Sequence, residues 1–142
     1  MDEDAKREIL RRVPYGMYLM AAAGREGPTA STLTWLSQCS FHPPLVMLGV
    51  QTSSLVHGAI EESGALAVHA LAEGQREVAQ RFFRPPAEEA GRLHGLRWEA
   101  GPRTGAPVFP ELPAYFEARI TDAVKRGDHT VFVAEVPASP MP

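Results

Sequence analysis

The chain has 142 residues, 44% hydrophobic and 22% charged, with a formal net charge of −3. That length fits one domain with a self-sufficient core, and the composition excludes a disordered or membrane-embedded protein. Slight acidity without a basic stripe excludes non-specific nucleic-acid binding, which rests on clustered Lys and Arg.

Cys39 is the single cysteine, so an intramolecular disulfide is excluded; the thiol reads as packing and the cytoplasm as the compartment. The opening Met-Asp-Glu-Asp lacks the basic and apolar regions of a secretory signal, so no export is expected. Met17 to Ala23 is far shorter than the roughly 20 apolar residues of a membrane-spanning helix, so no membrane partner is expected.

Ala5, Ile9 and Val13 recur at i, i+4 and i+8, which predicts a short amphipathic lid or packing helix stopped by Pro14. Tyr15 to Ala23 and the segment after Gly24-Arg-Glu-Gly27 read as a hairpin. In its second strand Leu33 and Trp35 alternate with Thr32 and Thr34, giving an apolar face and a hydroxyl face. After Pro43-Pro44, the apolar run Leu45 to Val50 predicts a strand buried on both faces.

Thr52-Ser53-Ser54 offers N-caps for a helix from Leu55, which Ser63-Gly64 ends. A strand from Ala65 to Leu71 follows. A further helix after Glu73-Gly74-Gln75 carries Val78, Ala79, Phe82 and Phe83, and Pro85-Pro86 stops it. Residues 87–113 read as loop with one short strand, anchored by Leu93, Leu96 and Trp98. Ala114 to Ala123 and Thr130 to Val136 form a closing hairpin around Lys125-Arg-Gly-Asp128. The expectation is one domain over residues 1–136 with a Pro-rich tail at 137–142. It is mainly β with a few short helices, an antiparallel barrel rather than a doubly wound sheet.

No G-x-S-x-G, P-loop, H-E-x-x-H or G-x-G-x-x-G occurs, so those catalytic and nucleotide signatures are out. His42, His57, His69, His94 and His129 stand at no common ligand spacing, and no metal site is predicted.

Several ordered pieces carry more: Thr32-x-Thr-Trp-x-Ser-Gln-x-Ser-Phe-x-Pro-Pro44, Ser53-Ser54, Glu62-Ser-Gly64, Gln75-x-x-x-Ala79-x-x-Phe82 and Gly127-Asp-His129. Together, from about Pro14 to Val136, they resemble the flavin reductase-like, FMN-binding split-barrel family, with Trp35 and Gln38 closer to its flavoredoxin-like branch. The resemblance implies an antiparallel Greek-key split barrel. It also implies a homodimer with FMN, or FAD, at the subunit junction, and NADH or NADPH as electron donor.

By that resemblance Thr32, Leu33, Thr34, Trp35 and Ser37 are the flavin contacts, and His129 lies at the nicotinamide and flavin site with a positioning role. Ser53 and Ser54 are the candidates for the flavin phosphate, with plain N-capping as the competing reading. Arg92 is the candidate cation beside the reduced ring. Asp128 is read only as part of the turn. The implied activity is NAD(P)H-dependent flavin reduction, with a monooxygenase or other acceptor as partner. The alternatives are a flavoredoxin-type electron carrier reduced by a protein partner, and a flavin-binding or apo structural dimer without turnover.

Overall fold

Seven strands form one antiparallel sheet in the computed structural model, which describes residues 2–84 and 88–137. They are β1 (Tyr18–Gly24), β2 (Gly27–Leu33), β3 (Leu36–Ser40), β4 (Leu45–Gln51), β5 (Ala65–Ala70), β6 (Tyr115–Lys125) and β7 (His129–Glu135). Their order across the sheet is β2-β1-β5-β6-β7-β4-β3.

β2 and β3 are thus opposite edges, yet only Thr34 and Trp35 separate them in sequence. In a flat sheet these edges would lie roughly 29 Å apart, six strand spacings of about 4.8 Å. The three Cα steps from Leu33 to Leu36 reach at most about 11 Å. The sheet must therefore curl into a split barrel whose seam is bridged by Thr34 and Trp35. This corrects the expectation of one strand running through Trp35.

The predicted hairpin forms β1 and β2, with Gly24 opposite Gly27. Helix α1 (Glu3–Leu10) starts at Asp2, whose carboxylate accepts the Ala5 N–H at 2.7 Å, and ends before Val13. It has no buried residue, so it is not a packing helix within this chain. Helix α2 (Leu55–Ser63) begins at its cap Ser54 and ends at Gly64, whose φ of 70° is the left-handed conformation glycine tolerates. Its Val56, Ala59 and Ile60 join Met20, Leu48, Val50, Leu66 and Phe132 in the main core.

Successive residues of β1 point to opposite faces, so Leu19 and Ala21 enter a second core with Phe82, Leu93, Phe109 and Leu112. The doubly buried strands are therefore β1 and β5, not the expected β4. Helix α3 (Arg76–Arg81) is pinned to β2 by the Thr32 hydroxyl, which donates to the Ala79 carbonyl at 2.7 Å.

Between residues 88 and 108 the chain makes five two-residue strand pieces instead of one short strand. Leu93 and Leu96 are buried there and Trp98 packs partly buried against them, as expected of anchors. Cys39, expected to be buried, is exposed on β3. Pro85-Pro86 and the tail beyond Pro137 lie outside the described residues. Among the described residues no helix is long and apolar enough to cross a membrane.

Candidate functional site

β4 and β7 pair along their full length and bury only one face. Val46, Leu48 and Val50 with Thr130, Phe132 and Ala134 point inward, while Met47 and Val131 on the outer face are 43% and 39% exposed. An apolar face that the chain does not cover is a candidate for a ligand or a partner.

Gly49 sits in the middle of that face, and the Trp35 indole lies over it. A Cβ on Gly49 would stand 3.0 Å from Trp35 Cε3, so the close approach needs glycine. The Gly49 N–H also donates to the Trp35 carbonyl at 2.9 Å, fixing the seam residue from its backbone. Trp35 nevertheless stays 44% exposed, an aromatic wall open to solvent.

The His129 ring lies against Trp35, with centroids 4.5 Å apart and planes at 44°. Tyr15 flanks the indole at 6.2 Å. His129 Nδ1 is 2.8 Å from Asp128 Oδ1. The hydrogen bond to His129, together with its charge, holds the Asp128 carboxyl below the usual range. An ionised Asp128 keeps a proton on Nδ1 and leaves Nε2 as the free ring nitrogen. The turn itself is tied to the start of α2, because the Thr52 N–H and hydroxyl both donate to the Asp128 carbonyl, at 2.9 and 3.2 Å.

Two cavities meet at Tyr15. One, of about 370 Å³, runs over Trp35, Ser37, Met47, Gly49 and Val131. The other, of about 590 Å³, is bounded by Met17, Thr34, Leu71, Glu73 and Arg76. Arg76 has no hydrogen-bond or ion-pair partner among the described residues.

The expected site residues are therefore divided. Thr34, Trp35, Ser37 and His129 gather around these cavities. Leu33 is buried in the main core, and the Thr32 hydroxyl is bonded to α3, so both side chains serve packing. Ser54 caps α2: its hydroxyl accepts the His57 N–H at 3.3 Å and donates to the Gln51 carbonyl at 2.7 Å. It lines a separate cavity with Glu26 and Glu62, whereas Ser53 is exposed with no side-chain partner among the described residues. Arg92 is engaged within its own loop, donating to the Gly95 carbonyl at 2.8 Å and lying 3.7 Å from Glu111.

Tyr15, Gly49, Arg76 and the pairing role of Asp128 were not among the expected site features. An acidic residue adjacent to a histidine, and a glycine interrupting an apolar strand, were the available signals for two of them. The donor set at the two cavities suits a flat aromatic ring with a polar edge and an anionic tail: an open indole, a free hydroxyl on Thr34, and a free guanidinium on Arg76.

Residues 10–139 match the flavin reductase like domain. The chain is 34% identical over 130 residues to the "FMN reductase (NADH) SmoA" of Agrobacterium fabrum, covering 92% of this chain and 72% of that one. It is 28% identical over 138 residues to a "Probable flavin reductase" of Rhizobium meliloti, covering 96% of this chain but only 43% of that protein's length. The fold superposes on BorF, the flavin reductase component of a bacterial two-component tryptophan halogenase, with a TM-score of 0.78 at 28% identity. That superposition covers 96% of this chain and 86% of BorF. Sequence and fold agree, and the chain belongs to the flavin reductase like domain family.

Proposed function

We propose that the chain is an NAD(P)H-dependent flavin reductase that binds FMN along the barrel seam. The carrying observation is the half-exposed Trp35 seated on Gly49 with His129 against its ring, beside two cavities. Trp35 supplies the wall for the flavin ring and Thr34 a free hydroxyl for its polar edge, while Ser37, whose hydroxyl donates to the Gln38 carbonyl at 3.0 Å, is left to accept there. Arg76, beside the larger cavity, and the exposed Ser53 are the phosphate candidates, whereas Arg92, expected as the cation beside the reduced ring, is engaged by Gly95 and Glu111 instead. Ser54 is left to capping.

A bound flavin supplies a hydride acceptor for the nicotinamide, a transfer that depends on stacking and proximity more than on acid–base help. His129 therefore orients the nucleotide, its tautomer set by Asp128. FMN is the first choice because the names of several relatives specify it, with FAD second; NADH is the donor named for most of them.

A second copy of the chain is the proposed cover for the outer face, where Trp35, Met47 and Val131 stand exposed, and this homodimer would place the flavin at its junction. A monooxygenase-type acceptor is the proposed partner, and the reducing cytoplasm the proposed compartment for a chain with a lone exposed thiol.

Anaerobic titration tests the function. FMN added to the protein should show a perturbed visible band that NADH bleaches faster than it bleaches free FMN. A perturbed band that neither NADH nor NADPH bleaches would replace the reductase with an electron carrier, and an unperturbed band would leave a structural dimer. Light scattering reads the dimer independently.

A further inference from the structure

Directly behind His129, on the other face of β7, a second histidine is buried. His57 lies in the first turn of α2 and is 6% exposed. Its Nε2 is 2.7 Å from the hydroxyl of Thr130, a residue with no solvent exposure. Its Nδ1 is 3.3 Å from Glu61, which pairs in turn with Lys125 at the end of β6, and its ring packs on Phe132 at 5.4 Å. The Lys125 ammonium holds the Glu61 carboxyl below its ordinary range, so Glu61 stays ionised. It favours the proton on Nδ1, which leaves Nε2 to accept the Thr130 hydroxyl.

Packing alone does not call for this arrangement, because an apolar pair of similar volume would fill the space without desolvating a hydroxyl and an imidazole. What the polar pair adds is direction: it fixes one atom of α2 against one atom of β7. Thr130 adjoins His129, and neighbouring strand residues point to opposite faces, so moving Thr130 moves His129. On the other side of the turn Thr52 holds the Asp128 carbonyl. Thr52, in the segment leading into α2, and His57, in its first turn, thus hold Asp128 and Thr130, the two chain neighbours of His129.

We propose that His57, acting through Thr130, is a positioning residue that sets His129 against Trp35 and thereby fixes the nicotinamide nucleotide. It rests on the reading of His129 as the nucleotide-facing group. Loss of the hydroxyl bond in Thr130→Val, or in His57→Leu, raises the KM for NADH about fivefold, the scale of one neutral hydrogen bond, and leaves kcat within about twofold. His57→Gln, whose side-chain amide can still bond Thr130, restores a KM near the parent's. A purely structural role would lower the folded fraction and kcat per mole of protein without moving KM.

A second readout needs neither flavin nor turnover. The Thr52 amide, bonded to Asp128, exchanges its hydrogen several times faster in Thr130→Val than in the parent. Thr130→Val is close to isosteric and carries the test should His57→Leu not fold. Parental NADH KM and parental Thr52 exchange in Thr130→Val, with His129→Ala still impaired, would overturn the positioning role and leave the site assignment standing. Unimpaired NADH kinetics in His129→Ala would instead overturn the site assignment itself.

Discussion

The loop at residues 101–109 and the Trp35 seam both hold polar side chains against the sheet, but they treat those groups in opposite ways. Glu117 is 2% exposed, and its carboxylate accepts the Arg103 N–H, the Thr104 N–H and the Thr104 hydroxyl at 2.7 to 3.3 Å. Gly101 is packed so close that a Cβ there would stand 2.2 Å from Glu117 Oε1. His69, without solvent exposure, accepts the Phe109 N–H at 3.0 Å through Nε2 and stacks on Tyr115, while its buried Nδ1 meets no hydrogen-bond partner among the described residues. At the seam, Thr34, Arg76 and His129 Nε2 have no side-chain partner among the described residues. Buried groups consumed by the chain hold its shape, whereas groups left free beside a cavity are available to a ligand.

Glu117→Ala gives the largest expected break of that contrast. It strips the partner from two backbone N–H groups and a hydroxyl and should cost about 3–4 kcal/mol in urea unfolding. FMN affinity of the folded fraction should be unchanged; a strong loss of affinity would mean that loop and seam are not independent.

Acid stability should expose the loop next. Burial pushes the His69 imidazole down from 6.5 to about 4, so the unfolded chain binds its proton first as pH falls. This contribution to stability is whole above pH 6.5 and is lost as pH falls from 6.5 to about 4. The loss approaches about 3 kcal/mol at its limit, by the usual conversion of pKa difference to free energy. His69→Gln, which can still accept from Phe109, should flatten the profile over that window in thermal unfolding; an unaltered profile would remove His69 as the cause.

The seam should behave in the reverse sense. Trp35→Ala removes a half-buried ring and should cost about 1–2 kcal/mol of stability, less than Glu117→Ala, yet weaken FMN about 30-fold, roughly 2 kcal/mol, in fluorescence titration. A large stability loss with intact FMN binding would make Trp35 a core residue instead. Arg76→Gln should weaken FMN about fivefold and leave riboflavin unaffected, the mark of an exposed charge on phosphate. An unchanged FMN-to-riboflavin ratio would return Arg76 to the solvated surface.

Much of the fold was legible because its signals are local. The first hairpin follows from Gly24 and Gly27, α2 from Ser54 and Gly64, and the closing hairpin from β-prone runs around Gly127. The seam was not, because nothing in Thr32 to Trp35 tells a strand that continues from one that crosses to the far edge of a curled sheet. β4 misled for a different reason: Met47 is as apolar as Val46, and a hydropathy run cannot distinguish a face covered by the chain itself from one left uncovered. In the site, the motif residues Trp35 and His129 were legible and do lie together. Arg76 and Arg92 were not separable, because both are arginines in polar segments and only tertiary contacts show which one is already engaged.

The most direct measurement is anaerobic stopped-flow bleaching of FMN-saturated protein by NADH, for the parent and for His129→Ala. The parent should bleach faster than free FMN, and His129→Ala should slow bleaching about tenfold or more while FMN affinity changes less than about threefold. Equal bleaching rates in the two proteins would contradict the placing of the nicotinamide at His129.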